Sequence, residues 1–289
     1  MAQSESSTGR RQHYYVPQPA PWPIMGSTGL FLMALGATFV INGSVGGWLS
    51  IGLGLAILLY MMMRWFGDVI RESEGGKYGA WEDQSFRWGM GWFIFSEVMF
   101  FFAFFGALFW ARVMSVPDLS SLLQNELLWP GFRDLWPSAG PGFAEEFTPM
   151  GVWGVPSINT LLLLSSGVTL TYAHWGLINN QRVKLDLFLF LTIVLGVTFL
   201  GFQIYEYAHA YADLNLKLTT GVYGTTFYML TGFHGFHVTL GVLMLTVILI
   251  RCLAGHFKSD HHFAFEAVAW YWHFVDVVWL LLFVVVYWL

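Results

Sequence analysis

The sequence predicts an all-α membrane protein with seven transmembrane helices, and three observations predict it. Charged residues make up only 11% of the 289 positions, under half of the roughly 25% found in soluble domains. Hydrophobic residues reach 56% and aromatic residues 19%, with 15 Trp and 27 Phe. The apolar residues also fall into seven windows, each at or above the roughly 20 residues that a helix needs to cross about 30 Å of hydrocarbon. A chain so poor in charge cannot cover a water-facing surface, which excludes a secreted enzyme and a disordered scaffold. The net charge of −5, with no basic patch, excludes nucleic acid as a partner. The single cysteine, Cys252, excludes a disulfide framework, a thiolate zinc site and a cysteine-ligated iron–sulfur cluster.

The windows are 24–46, 47–67, 88–113, 155–180, 185–211, 222–251 and 264–289, all within one integral membrane domain spanning 1–289. Residues 1–20 are expected to be a polar tail without a cleavable signal, and Arg10-Arg11 are not followed by the short apolar segment that a twin-arginine signal needs. Pro21 and Pro23 hold back the start of the first helix and leave Trp22 at the interface, where indole prefers to lie. The first two windows are joined by a tight turn at 42–47, for which Gly43, Gly46 and Gly47 are suited. The one long loop, 114–154, is acidic and proline-rich, and is expected to be a solvated cap.

Lysine and arginine set the orientation. With the N-terminus inside, Arg10, Arg11, Arg64, Arg71, Lys77, Arg87, Arg182, Lys184, Arg251 and Lys258 are inside, and only Arg112, Arg133 and Lys217 are outside, accounting for all 13. The N-terminus is therefore expected inside and the C-terminus and the long loop outside.

Polar residues within the spans are the candidates for chemistry, because each is costly in hydrocarbon without a partner. Glu97 stands in Phe95-Ser96-Glu97-Val98-Met99-Phe100; desolvation by such neighbours favours the neutral acid, suited either to proton handling or to a bond with the next helix. Glu266, His273 and Asp276 fall on one stripe of the seventh window, since seven residues bring a helix back to within about 20°. His234 and His237 lie one turn apart beside Thr231, and Glu206 and His209 repeat that spacing. Histidine pairs with carboxylates suit iron, so His234, His237, His261, His262 and Glu266 define a di-iron alternative, although a shared site requires one depth in the membrane. His174 and His273 are candidate haem ligands. A proton channel using Glu97 is a third class, disfavoured by the lack of an inverted repeat.

The stretch from His261 to Trp279, containing Phe265-Glu266, Trp270-Tyr271-Trp272-His273 and Asp276, resembles the signature of cytochrome c oxidase subunit III. So do Gly221-Val222-Tyr223-Gly224-Thr225-Thr226-Phe227, Thr231-Gly232-Phe233-His234-Gly235-Phe236-His237, Asp68-Val69-Ile70-Arg71-Glu72-Ser73, Ser96-Glu97-Val98-Met99-Phe100-Phe101, the run from Ser166 to His174, and Pro21-Trp22-Pro23. The matches follow the family's order from residue 21 to the C-terminus. Two departures stand out: Tyr78-Gly79-Ala80 lies where many members carry His-Thr-Pro, and Gly67 where some carry a basic or bulky residue.

The resemblance implies a non-catalytic subunit of a proton-pumping oxidase, with helices 1–2 and 3–7 in two bundles that form a V-shaped lipid cleft. It implies subunits I and II as partners, holding haem A and copper, with cytochrome c met only indirectly. This chain would carry no redox cofactor and no metal, but would bind phospholipid and support proton uptake and stability of the core during oxygen reduction. Glu97 would be the buried carboxyl near subunit I. Arg71, Glu72, Arg251 and His256 would lie near lipid head groups, and His234, His237, Glu266, His273 and Asp276 would be interhelical seams. The polar N-terminus and the long loop point to a bacterial plasma membrane.

Overall fold

The computed structural model describes residues 15–143 and 146–289. Among these residues the chain is helical, with no strand beyond an isolated bridge between Lys258 and His261. Seven helices are long and apolar enough to cross a membrane. They are α1 (Trp22–Ile41), α2 (Gly46–Glu74), α3 (Ala80–Trp110), α4 (Val155–Ile178), α5 (Arg182–Ala212), α6 (Gly221–Leu253) and α7 (Phe263–Leu282). Single π-helical segments, Ala111–Ser115 and Phe283–Trp288, extend α3 and α7, and α3 then continues through Val116–Leu119.

Each predicted window holds one helix, but several helices outrun their windows. α2 continues past residue 67 through Asp68, Arg71 and Glu72 to Glu74, because charge ends a hydropathy window without ending a helix, and Arg and Glu are good helix formers. What stops α2 is Gly75-Gly76: Gly76 takes a left-handed φ of 67° and Gly75 N–H caps the Arg71 carbonyl at 2.9 Å. The first turn also differs from expectation. Only Gly43 (φ 78°) bends it, while Gly46 and Gly47 already belong to α2.

Gly47 serves close packing instead. A Cβ there would lie 2.5 Å from the Gly36 carbonyl oxygen, and one at Gly36 would lie 2.6 Å from that of Gly47. Gly29 and Gly54 repeat the contact two turns along, with a Cβ on Gly54 falling 2.6 Å from the Gly29 oxygen. Small residues at this seven-residue spacing let two backbones touch, which matters in a bilayer because lipid tails are as apolar as leucine and supply no hydrophobic drive between helices. Ser50 adds a bond from Oγ to the Leu32 carbonyl at 2.8 Å.

The chain divides into two compact units, Met1–Phe86 and Arg87–Leu289, with the boundary inside α3. In the first, Glu72 and Glu82 gather the ends. Tyr15 O–H and Tyr78 O–H donate to the two Glu72 oxygens at 2.9 and 2.8 Å, and Glu82 accepts from Tyr15 N–H at 2.6 Å and Gly79 N–H at 2.8 Å. Partial burial and the Glu72 carboxylate raise the Tyr78 phenol above its ordinary range.

The second unit is organised around α7. Trp272 and Trp279 are 0% and 1% exposed, and each indole N–H is satisfied by α4: Trp272 donates to Ser166 Oγ at 2.9 Å and Trp279 to Thr160 Oγ1 at 3.0 Å. Gly196 of α5 and Gly241 of α6 press on the Trp272 ring, where a Cβ from either would fall 2.7 Å from a ring carbon. Thr169 and Thr192 tie α4 to α5 at 2.8 Å. Part of the loop before α4 packs against the start of α6. Ala139 and Ser138 carbonyls accept from Val222 and Tyr223 N–H at 3.1 and 3.2 Å, and Trp136 and Phe147 lie against the Tyr223 ring.

Gly221 makes that cap possible, with φ 57° and a Cβ position only 1.9 Å from the Ala139 oxygen. Gly221→Ala is expected to cost about 1–3 kcal/mol and to lower the thermal midpoint of the detergent-solubilised protein. Gly201→Ala, where a Cβ meets nothing within 4 Å, is expected to leave it unchanged or slightly raised. Equal midpoints for the two variants would refute the cap.

Candidate functional site

The polar residues of the spans fall into separate groups in the second unit. Midway along α3 and α6, Glu97 Oε2 lies 2.8 Å from His237 Nε2. His237 Nδ1 is 2.6 Å from the Phe233 carbonyl; a carbonyl only accepts, so Nδ1 carries a proton. Nε2 and Glu97 therefore share one further proton, either as carboxylic acid donating to imidazole or as imidazolium donating to carboxylate. The expectation of a neutral Glu97 considered only its Phe and Met neighbours along the helix, whereas the fold adds an imidazole. Phe101 and Tyr271 rings flank His237, and the Tyr271 hydroxyl donates to the His237 carbonyl at 3.3 Å.

A second group gathers where α4 ends and α7 begins. Arg87 binds Glu266 Oε2, and His262 Nε2 lies 3.2 Å from Glu266 Oε1. His174 meets the His262 ring edge-on, with centroids 5.4 Å apart. His174, His262 and Glu266 each offer a donor atom within 4.8 Å of the other two, and among the described residues they are the group that could hold a metal. Arg182 ties the same end together by donating to the Phe257 carbonyl at 2.6 Å.

The remaining candidates are dispersed. His234 Nε2 sits 3.2 Å from the Val275 carbonyl, joining α6 to α7. His273 Nδ1 lies 3.7 Å from Asp276 Oδ2 on its own helix, and that carboxylate is covered by Gly167 of α4, where a Cβ would fall 2.5 Å from it. Glu266 thus turns to a different group from His273 and Asp276, although all three share one stripe. Glu206 and His209, spaced like a pair, part company: Glu206 accepts from Tyr287 O–H at 2.7 Å and His209 faces Asp213 at 2.7 Å. His234 and His237 do not join His262, which separates the histidines of the di-iron alternative.

Of the residues expected near lipid, Arg71 pairs with Asp68 while its side chain remains 64% exposed, and Glu72 binds Tyr15 and Tyr78. Arg251 is buried over the Phe257 ring at 4.5 Å, and His256 N–H closes the helix end on the Arg251 carbonyl at 3.1 Å. An open cavity of about 450 Å³ lies between the long loop and the start of α6; its lining, from Ser115 to Thr226, holds no acid, base or thiol. Sequence reasoning counted Arg87 only as a loop charge, and the one available signal for its pairing was its opposite sign to Glu266.

Seven helices able to cross a membrane make this chain an integral membrane protein. The model of the family described as cytochrome c oxidase subunit III matches residues 12–289. Cytochrome c oxidase subunit 3 of Chondrus crispus is 42% identical over 285 residues, covering 98% of this chain and 96% of that protein. The Arabidopsis thaliana protein is 40% identical over 280 residues (96% and 97%), and that of Scyliorhinus canicula 41% over 276 (95% and 96%). The chain belongs to the cytochrome c oxidase subunit III family, and is a multi-pass membrane subunit of that oxidoreductase complex.

The Glu97–His237 pair predicts a graded mutational response. Glu97→Gln keeps a donor facing the imidazole and is expected to assemble at the unaltered level. Glu97→Leu strands the buried nitrogen, at a cost of about 1–3 kcal/mol, and is expected to lower recovery. Quantifying the subunit in purified complex checks both, and loss of the complex with Glu97→Gln would show that the carboxyl itself holds the fold.

Proposed function

We propose that this chain acts without redox chemistry of its own, supporting proton uptake and the durability of the catalytic core while the complex reduces oxygen with electrons from cytochrome c. The family match over residues 12–289 carries the reading. Haem A and copper are assigned to subunits I and II, which this chain contacts, and cytochrome c is met only through them. Supporting this, the in-span Glu97, His237, His234 and Trp272 engage groups of this same chain. The ten-to-three bias of Lys and Arg supports an N-terminus inside, and with it an Arg87–Glu266 end assigned to the proton-uptake side. The long loop and the polar N-terminus support a bacterial plasma membrane, while the relatives quoted above are eukaryotic.

Phospholipid binding belongs to the same proposal. A guanidinium grips a phosphate through paired hydrogen bonds. Arg71, exposed in the last turn of α2, and Arg251, in the last turn of α6, are the residues assigned to it, with Glu72 and His256 beside them. Replacing both with Gln is expected to reduce phospholipid per purified complex and shorten the time the enzyme sustains turnover. Phosphorus analysis and progress curves measure these, and unchanged lipid content in the double variant would refute the assignment.

A further inference from the structure

We propose that His174, His262 and Glu266 bind a divalent transition cation of the zinc type at the end of the second unit. The site departs from the metal-free chain that the family resemblance implied. Two donors on a tetrahedral zinc, with bonds of about 2.0–2.1 Å, stand about 3.3 Å apart; His262 Nε2 and Glu266 Oε1 are already 3.2 Å apart. The third donor, His174, lies within 4.8 Å of both and closes by side-chain rotation.

The hydrogen bonds around the site explain why a cation belongs there. His262 Nδ1 faces the Lys258 carbonyl at 3.0 Å, so Nδ1 carries a proton and Nε2 is the nitrogen turned toward Glu266. Arg87 holds Oε2 of that carboxylate and leaves Oε1 pointing back. Nε2 and Oε1 at 3.2 Å need a positive charge between them, a proton or a metal ion. A proton would satisfy those two atoms alone. His174 Nε2, buried and without a hydrogen bond, is the third donor atom, and a single metal ion engages all three.

Two imidazoles and one carboxylate suit zinc and its neighbours better than magnesium or calcium, which take oxygen ligands. Three protein donors leave a fourth position for water. The outer supports are present, with the Lys258 carbonyl orienting one imidazole and Arg87 orienting the carboxylate, as metal sites require. His262 is the residue just before α7, and Glu266 lies in its first turn, so the site opens at a helix end, where an ion can enter from water.

The test uses the whole oxidase complex, stripped with a chelator and then equilibrated with micromolar zinc chloride. Zinc counted by mass spectrometry is expected to fall by one ion per complex in His174→Gln and in His262→Gln. It is expected to match the unaltered complex in His261→Gln, which changes the exposed neighbour. Crystals of the unaltered complex soaked in zinc are expected to show anomalous scattering between the three donors, which decides the matter if a variant fails to assemble. Equal zinc in both site variants, or no anomalous peak there at saturating zinc, overturns the proposal.

Discussion

The constraint on which this structure depends is the lack of water in hydrocarbon: a polar group within a span must find its partner in the protein. The indole of Trp272 answers to Ser166, that of Trp279 to Thr160, and the imidazole of His234 to the Val275 carbonyl. Each bond crosses from α7 to another helix, so satisfying the polar atoms also fixes the packing. α7 is therefore central to the second unit, and its largest fully buried side chains, Trp272, Trp279 and Tyr271, are aromatic ones with a polar handle.

Close approach is the second half of the same logic. Because lipid offers as good a solvent for leucine as another helix does, association relies on tight contact. In the first unit Gly29, Gly36, Gly47 and Gly54 bring α1 and α2 together at backbone distance. In the second, Gly196 and Gly241 seat the Trp272 ring, and Gly167 receives the Asp276 carboxylate. Polar pairs and glycine seats thus recur at the contacts between spans.

The spans were legible because a helix must cover its length in apolar residues before it can cross, and that requirement is written in composition. Their ends were not. Charge at Asp68 to Glu72 marked the edge of hydropathy, but Gly75-Gly76 marked the end of α2. Helical periodicity placed Glu266, His273 and Asp276 on one stripe, yet could not reveal that Arg87, from a helix nearly 180 positions away in sequence, draws Glu266 to a different group. The pairing of Glu97 with His237 was unreadable for the same reason, since a hydrogen bond between distant helices leaves no periodic trace. The histidine spacing in α6 suggested a shared ligand, while the fold turns His234 and His237 to different helices.

The central claim is that the polar residues of this chain hold a subunit together and do not hold a redox centre. Purifying the complex in mild detergent through a tag on this chain tests it, with a reduced-minus-oxidised spectrum and iron content recorded before and after the chain is stripped from its partners. The account predicts haem A and copper in the complex, and neither haem nor iron on the stripped chain. Iron that stays with the stripped chain in the absence of haem would contradict it and make the histidines an active site.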